Sequence, residues 1–384
     1  MLSKTYDMIV LGLGAMGGAT AFELARRGHS VLGLEQYALG HDRGSSHGQT
    51  RIIRRAYFEG PEYVPLLHRA YERWYELEQR TGRHLFTVCG CLSIGPPDGT
   101  LLAGIRRAAA AHHLDVEPLS PAELRQRYPP FQFADTFHAV YEPHAGFLLA
   151  EECVRAHLDE ACRLGADLRA DEPVVSWEPV GLGVVVRTAR GSYAASRLII
   201  TAGSWTGALL RDLSLPLTVR RKVVFWFSPP DPRPFLRHRF PVYLCETSQG
   251  FYYGFPALDP GGVKVARHDG GDLVPDPSAL SRVVQPEEAR DCLEFLERHL
   301  PAAVGPRSRA SVCLYTMTPD AHFVLDQHPE CPAVVLGAGF SGHGFKFASV
   351  VGEILADLAE IGHSRQAIGM FRLTRRWGRT EETG

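Results

Sequence analysis

The first 35 residues constrain this chain most. An apolar run of strand type, Tyr6-Asp7-Met8-Ile9-Val10-Leu11, leads into Gly12-Leu13-Gly14-Ala15-Met16-Gly17-Gly18 and then a helix-like stretch, Ala19 to Arg27. A second apolar run, Ser30 to Leu34, ends at Glu35. Strand, glycine turn, helix, strand and acid follow in the order of one βαβ unit. Gly12, Gly14 and Gly17 let the backbone approach a pyrophosphate, whose charge sits at the helix N-terminus. Glu35 lies 23 residues after Gly12, where a carboxylate bonds the ribose hydroxyls of an adenine dinucleotide. The unit therefore predicts dinucleotide binding, with NAD and FAD both open. The acid argues against NADP. A glycine-rich turn in another α/β fold is the competing reading.

Bulk properties exclude more than they assign. Charged residues make up 22% and apolar residues 45% of 384, with a net charge of −2. That balance leaves no basic footprint for nucleic acid or an anionic membrane. No apolar run approaches the roughly 20 residues that span a bilayer. The N-terminus enters the first strand directly, so no secretory signal is expected. The tail Glu381-Glu382-Thr383-Gly384 carries no peroxisomal or prenylation motif. A cytoplasmic enzyme is the expectation. Its length predicts two domains or one elaborated α/β unit. Eight cysteines form no CxxC pair and no zinc-ligand spacing with histidine, so no metal is expected. Cys89 and Cys91 read as one strand face, and Cys153 and Cys162 as helix core. Cys313 is the one singled out for chemistry.

Past the βαβ unit runs a polar loop, Gly40 to Thr50, rich in His, Ser and Gly. Loops of that length are often functional. Helical spacing follows over Glu62–Gln79, strand character over Leu85–Ile94, and helices near 101–112, 121–127 and 151–164. Val174–Glu178 and Gly183–Thr188 read as strands, with a hairpin turn at Gly191-Ser192-Tyr193. Arg197 to Gly203 reads as a buried strand ending in a small-residue turn. Val219–Phe227 and Gly250–Ala266 predict strands of a second sheet, and Pro286–Leu300 a helix. The end returns to α/β character: strand Pro332–Leu336, a glycine turn, and helix Phe345–Glu360. The expected division is a discontinuous cofactor domain (1–80, 145–215 and 310–384) enclosing a substrate domain (81–144 and 216–309).

Three segments carry a resemblance: Gly44-Ser45-Ser46-His47-Gly48-Gln49-Thr50-Arg51-Ile52-Ile53-Arg54, Cys313-Leu314-Tyr315-Thr316-Met317-Thr318-Pro319-Asp320, and Gly339-Phe340-Ser341-Gly342-His343-Gly344-Phe345-Lys346. With Thr201-Ala202-Gly203-Ser204-Trp205, the chain resembles the FAD-dependent amine oxidases of the monomeric sarcosine oxidase and N-methyltryptophan oxidase group over nearly its whole length. The resemblance implies an α/β (α+β) fold, with a glutathione-reductase-like FAD domain and a second domain on a mostly antiparallel sheet.

It also implies roles. Cys313 carries the flavin through a thioether at its 8α-methyl position. Arg54 and Lys346 bind the substrate carboxylate, the arginine through paired bonds and the lysine as a point charge. Arg51 lies against the flavin ring, with His47 and Thr50 in the same loop. Lys264 stabilises superoxide as dioxygen takes its first electron. His268, Tyr253 and Tyr315 face the substrate. Gly342 and Gly344 precede a helix whose N–H groups favour negative charge on the flavin. Read from pattern alone, Arg54 and Arg55 are neighbours on a strand edge, so at most one points inward. Lys264 between valines would then be a solvent-facing lysine.

The function this implies is oxidation of the C–N bond of a secondary amino acid, foremost sarcosine, with dioxygen as acceptor. The products would be hydrogen peroxide, formaldehyde and glycine. N-methyltryptophan, a cyclic imino acid and a sugar-amine adduct are alternative substrates. An NAD-linked dehydrogenase and a non-catalytic flavin protein are the rival classes. The resemblance implies a monomer, acting on a small amino acid and dioxygen. Two positions depart from the family pattern: Ser46 replaces a second histidine of several relatives, and Gln49 replaces an acid.

Overall fold

The structure, a computed structural model, describes residues 4–258 and 261–378. The tail read above at 381–384 lies outside them. Its first sheet has eight strands. Lys4–Leu11 sits between Val31–Leu34 and Gly191–Ile200, all parallel. Asp167–Arg169 extends one side. On the other, Gly191–Ile200 shares its outer edge between the hairpin strand Gly183–Thr188 and the parallel strand Val334–Ala338. Val174–Val180 and Val324–Gln327 complete the sheet, each antiparallel to its neighbour. The inner parts of the parallel strands, residues 8–11, 31–34, 198–200 and 334–336, are apolar and buried, with helices Ala15–Arg26, Ala150–Arg163 and Ala348–Ile361 contributing to the core beside them. Their carboxyl ends (Leu11, Leu34, Ile200 and Ala338) open together, where α/β sheets bind ligands.

The second sheet has nine strands and is antiparallel except where Val242–Thr247 meets Cys91–Gly95. Toward one end of it, Thr218–Phe227 pairs along its length with the edge strand Arg307–Met317, and on its other side with Val263–Arg267. Gly250–Phe255 follows. A small third sheet joins Thr50–Ile53, Gly146–Leu149 and Phe86–Val88, tying the polar loop to the rest.

The strand expected over Leu85–Ile94 is two strands in different sheets. Gly90 has φ +76°, and the Cys89 and Gly90 N–H groups both bond the Ala145 carbonyl. That wrap breaks the pleat, so Cys89 and Cys91 share no strand face. The hairpin turn lies before Gly191, which already belongs to the next strand. The helix expected over Pro286–Leu300 opens as a 3-10 turn, and its α-helical part is Arg290–His299. Cys162 is exposed, not core; it lies on the outer face of its helix. Among the described residues no helix is long and apolar enough to cross a membrane, and no group of side chains forms a metal site.

Candidate active site

The glycine turn builds one end of a long cleft. Gly12 has φ +88°, and a Cβ on Gly17 would lie 1.8 Å from the Gly12 carbonyl oxygen. No side chain fits there, so the strand end and the helix start pack backbone to backbone at the cleft. The buried Glu35 accepts from the Leu13 N–H at 2.9 Å and the Tyr37 N–H at 3.2 Å. The cleft runs from Gly12, Gly14 and Glu35 past Thr201–Trp205 to Tyr315, Gly342, Gly344 and Phe345. A glycine cradle, a helix start lining the cleft and a carboxylate beyond the second strand fit an adenine dinucleotide. The far end, walled by Arg51, Leu314 and Phe345, suits a ring system.

The polar loop is folded by its own charges. Glu151, in the first turn of its helix, accepts from the Gly48 N–H at 2.7 Å and from the Gln49 N–H. Those bonds and Arg51 hold its carboxyl below the usual range. Arg51 turns back on the loop, donating to the carbonyls of Ser45 and Thr50 at 2.8 Å and of His47 at 2.5 Å. Its guanidinium stands 3.8 Å from Cys313 Sγ, and His47 Nδ1 3.7 Å from the same sulfur. Burial pushes His47 down to about 4, so its ring is neutral at physiological pH. Ser46 Oγ accepts the Ala15 N–H at 3.0 Å, bringing the loop onto the helix start.

The second sheet supplies one continuous face by strict alternation. Lys222, Val224 and Trp226 share a face of their strand, and Cys313 stands opposite Lys222 in register. Lys264 stands opposite both Trp226 and Phe255, and Tyr253 opposite Ala266. Lys264 is therefore not solvent-facing: it is 2% exposed. Its Nζ donates to the Gly48 carbonyl at 2.6 Å, the Thr50 carbonyl at 2.9 Å and Thr50 Oγ1 at 3.3 Å. Burial and the Arg51 charge lower its pKa. It holds the loop from beneath, without lining the cavity above it.

That cavity, about 80 Å³, adjoins the cleft and shares Arg51, Tyr315, Gly342 and Phe345 with it. Arg54, Lys346, Tyr253, His268 and Cys313 also line it. The strand ends at Ile53, yet the two arginines do diverge: Arg55 lies 3.9 Å over the Tyr71 ring, while Arg54 turns inward. Glu142 fixes this by accepting from the Arg55 and Ala56 N–H groups. Arg54 is already gripped by Glu59 through two bonds of 2.9 and 2.8 Å, a partner that sequence reading missed. Lys346 Nζ donates to the His343 carbonyl at 2.8 Å and to Tyr57 Oη at 3.4 Å. Burial and the Arg54 charge bring it down to about 7. Burial likewise holds His268 near 4 and His343 near 3. Tyr57, Glu59, Glu151 and Lys222 were not legible as site residues. Only the acidic pair Glu151-Glu152 at a helix start gave any signal.

A dinucleotide cleft at the carboxyl ends of parallel strands, opening onto an enclosed cationic cavity under an antiparallel sheet, defines a dinucleotide-dependent oxidoreductase. The family model described as FAD dependent oxidoreductase matches residues 7–358. A monomeric sarcosine oxidase of Streptomyces avermitilis is 44% identical, over 96% of this chain and 97% of its own. An N-methyl-L-tryptophan oxidase of Yersinia pestis is 37% identical, over 96% and 99%. Among solved structures, a Tyr258Phe mutant of NikD, described as an unusual amino acid oxidase, superposes with a TM-score of 0.86 at 26% identity, covering 96% of this chain and 97% of that one. The chain belongs to the FAD-dependent oxidoreductase family and is an FAD-dependent enzyme of the amine oxidase type.

Proposed function

We propose that this enzyme oxidises a secondary amino acid of the sarcosine type at its C–N bond, using dioxygen. The observation that carries the reading is the shared wall: Arg51, Tyr315, Gly342 and Phe345 line both the dinucleotide cleft and a buried cavity carrying Arg54 and Lys346. A carboxylate held by those two cations would place its amine against the cleft. Bound FAD would supply a two-electron acceptor for the amine and a donor to dioxygen, so that an imine and hydrogen peroxide are formed. Water then splits an N-methyl imine to formaldehyde and the primary amino acid.

The residues divide the work. Gly12, Gly14, Gly17 and Glu35 would hold the pyrophosphate and ribose, and His47, Thr50, Gly342 and Gly344 would border the ring. Cys313 would carry the flavin as a thioether, with dioxygen accepting the two hydrogens lost from thiol and methyl group. His47 and Arg51 stand beside that sulfur. The substrate amine must be neutral to lose hydride. With their depressed pKa values, His47, His268 and His343 are weak bases, but none is needed. Arg51 and Lys346 disfavour an ammonium in a cavity of low dielectric, so the amino acid enters as carboxylate with free amine. Tyr253, His268 and Tyr315 would shape its apolar side. Lys264 would offer a fixed cation to negative charge developing on dioxygen.

We take the cofactor domain as 1–80, 145–215 and 310–384, and the substrate domain as 81–144 and 216–309, the strand Arg307–Met317 joining them. A cytoplasmic monomer is the working form; the relatives' name supports the second word and the ordinary charge balance the first.

Anaerobic mixing with sarcosine tests the reading. The flavin absorbance should bleach, and readmitted air should restore it with one peroxide per amine. In Lys264→Met, reoxidation should slow about 100-fold or more, far beyond any change in bleaching. No bleaching by any secondary amino acid, whether sarcosine, N-methyltryptophan, a cyclic imino acid or one with an acidic side chain, would refute the oxidase. Equal slowing of both half-reactions would refute the role of Lys264.

A further inference from the structure

Lys222 is a buried cation to which the reaction above gives no part. It is 6% exposed, lies on the strand Thr218–Phe227 of the second sheet, and lines the amine cavity. Its Nζ donates to the backbone carbonyls of Asp269 at 2.5 Å and Gly270 at 3.2 Å, and stands 5.5 Å from the Tyr315 ring centre. The Asp269 carboxylate is turned to Arg267, at 3.0 Å through both oxygens. Among the described residues Lys222 forms no ion pair. A lysine buried with no carboxylate in contact, the nearby Asp269 charge offsetting only part of its burial, carries a desolvation cost that a ligand anion can offset further. Burial brings its pKa down to about 8, which leaves it charged at neutral pH.

Its contacts differ from those of Arg54 and Lys346, while Arg51, beside Cys313, is turned back on the loop carbonyls. Arg54 packs on Tyr57 and Phe58, and Lys346 on Tyr57. Lys222 stands on the wall of Tyr315, whose hydroxyl is 3.4 Å from His268. The Phe251 ring bridges the two walls, 5.3 Å from Phe58 and 5.6 Å from His268. The cavity thus has two cationic poles with aromatic surface between. Among the described residues its one lining carboxylate, Glu59, is taken by Arg54.

Resting on the amine-oxidase reading, we propose that Lys222 is a specificity-determining residue that binds a second carboxylate. The preferred substrate is then a secondary amino acid with an acidic side chain, of the N-methylglutamate or N-methylaspartate class. The α-carboxylate takes Arg54 and Lys346, the side-chain carboxylate takes the free N–H of Lys222, and the short aliphatic spacer lies along Phe251.

Two redox-inert ligands of equal chain length test this on the FAD-loaded enzyme by calorimetry. Glutarate should bind at least tenfold more tightly than valerate. Lys222→Gln should bring the two to within about threefold, and Lys222→Arg should keep the preference. In turnover, the ratio of kcat/KM for N-methylglutamate to that for sarcosine should fall at least tenfold in Lys222→Gln, through KM. Valerate binding as tightly as glutarate in the unmodified enzyme would overturn the proposal, even if the variants fail to fold. So would an undiminished glutarate preference in Lys222→Gln. If no amine bleaches the flavin, the oxidase reading fails, while the glutarate–valerate comparison still decides the second anion site.

Discussion

At the residue scale, the carboxylate clamp rests on two cations held in different states. Arg54 is always charged and must exchange Glu59 for the ligand. Lys346, near 7, must be protonated to contribute. Above that pH the ligand-free lysine is neutral, and binding an anion requires it to take up a proton. The affinity for an inert carboxylate such as acetate should hold steady below about pH 6 and fall toward tenfold per pH unit well above 7. Calorimetry in buffers of different ionisation enthalpy would show proton uptake in the same range; a flat profile from pH 6 to 9 would contradict it. Neighbouring arginines should behave oppositely. Arg54→Lys loses the forked geometry and should weaken carboxylate binding about tenfold or more. Arg55→Lys, facing Tyr71, should change it less than threefold.

At the element scale, the glycine turn is the least forgiving part. Gly17→Ala would drive a methyl carbon to within 1.8 Å of a carbonyl oxygen, so strand and helix must part. Purified Gly17→Ala protein should contain little flavin and unfold at lower denaturant, by more than about 2 kcal/mol. Normal flavin content would contradict the close approach. This turn was fully legible in sequence, because its glycines sit between two strands at fixed spacing. The strand over Val219–Phe227 was legible too, although which of its residues share a face with the site was not, since Val223 to Phe227 is apolar on both faces. A lysine between valines looks the same from either side of a sheet. What decides it for Lys264 is the Gly48–Thr50 loop, more than 200 residues away in sequence, whose carbonyls receive its protons. The break at Gly90 was hidden for a related reason: a single glycine inside an apolar run also fits an unbroken strand, and only the Ala145 carbonyl opposite makes it a corner.

At the scale of the whole molecule, two sheets of different kinds meet along one cleft. The mixed sheet opens the carboxyl ends of its parallel strands toward the dinucleotide, and the mostly antiparallel sheet presents Cys313, Tyr315, Tyr253 and Lys222 on one face. Motifs at positions 12–17, 44–54, 313–320 and 339–346 marked where the chain returns to this meeting line. Glu59 and Glu151 carried no motif, since a carboxylate that folds a loop or masks an arginine is defined by the partner it reaches. The proposal that most depends on this convergence is FAD bonded to Cys313, and a visible spectrum before and after acid precipitation tests it most directly. Yellow colour that stays with the pellet, and moves to the supernatant in Cys313→Ala, is the expected result. Colour released from the unmodified protein, or a colourless protein that fails to take up added FAD, would contradict it.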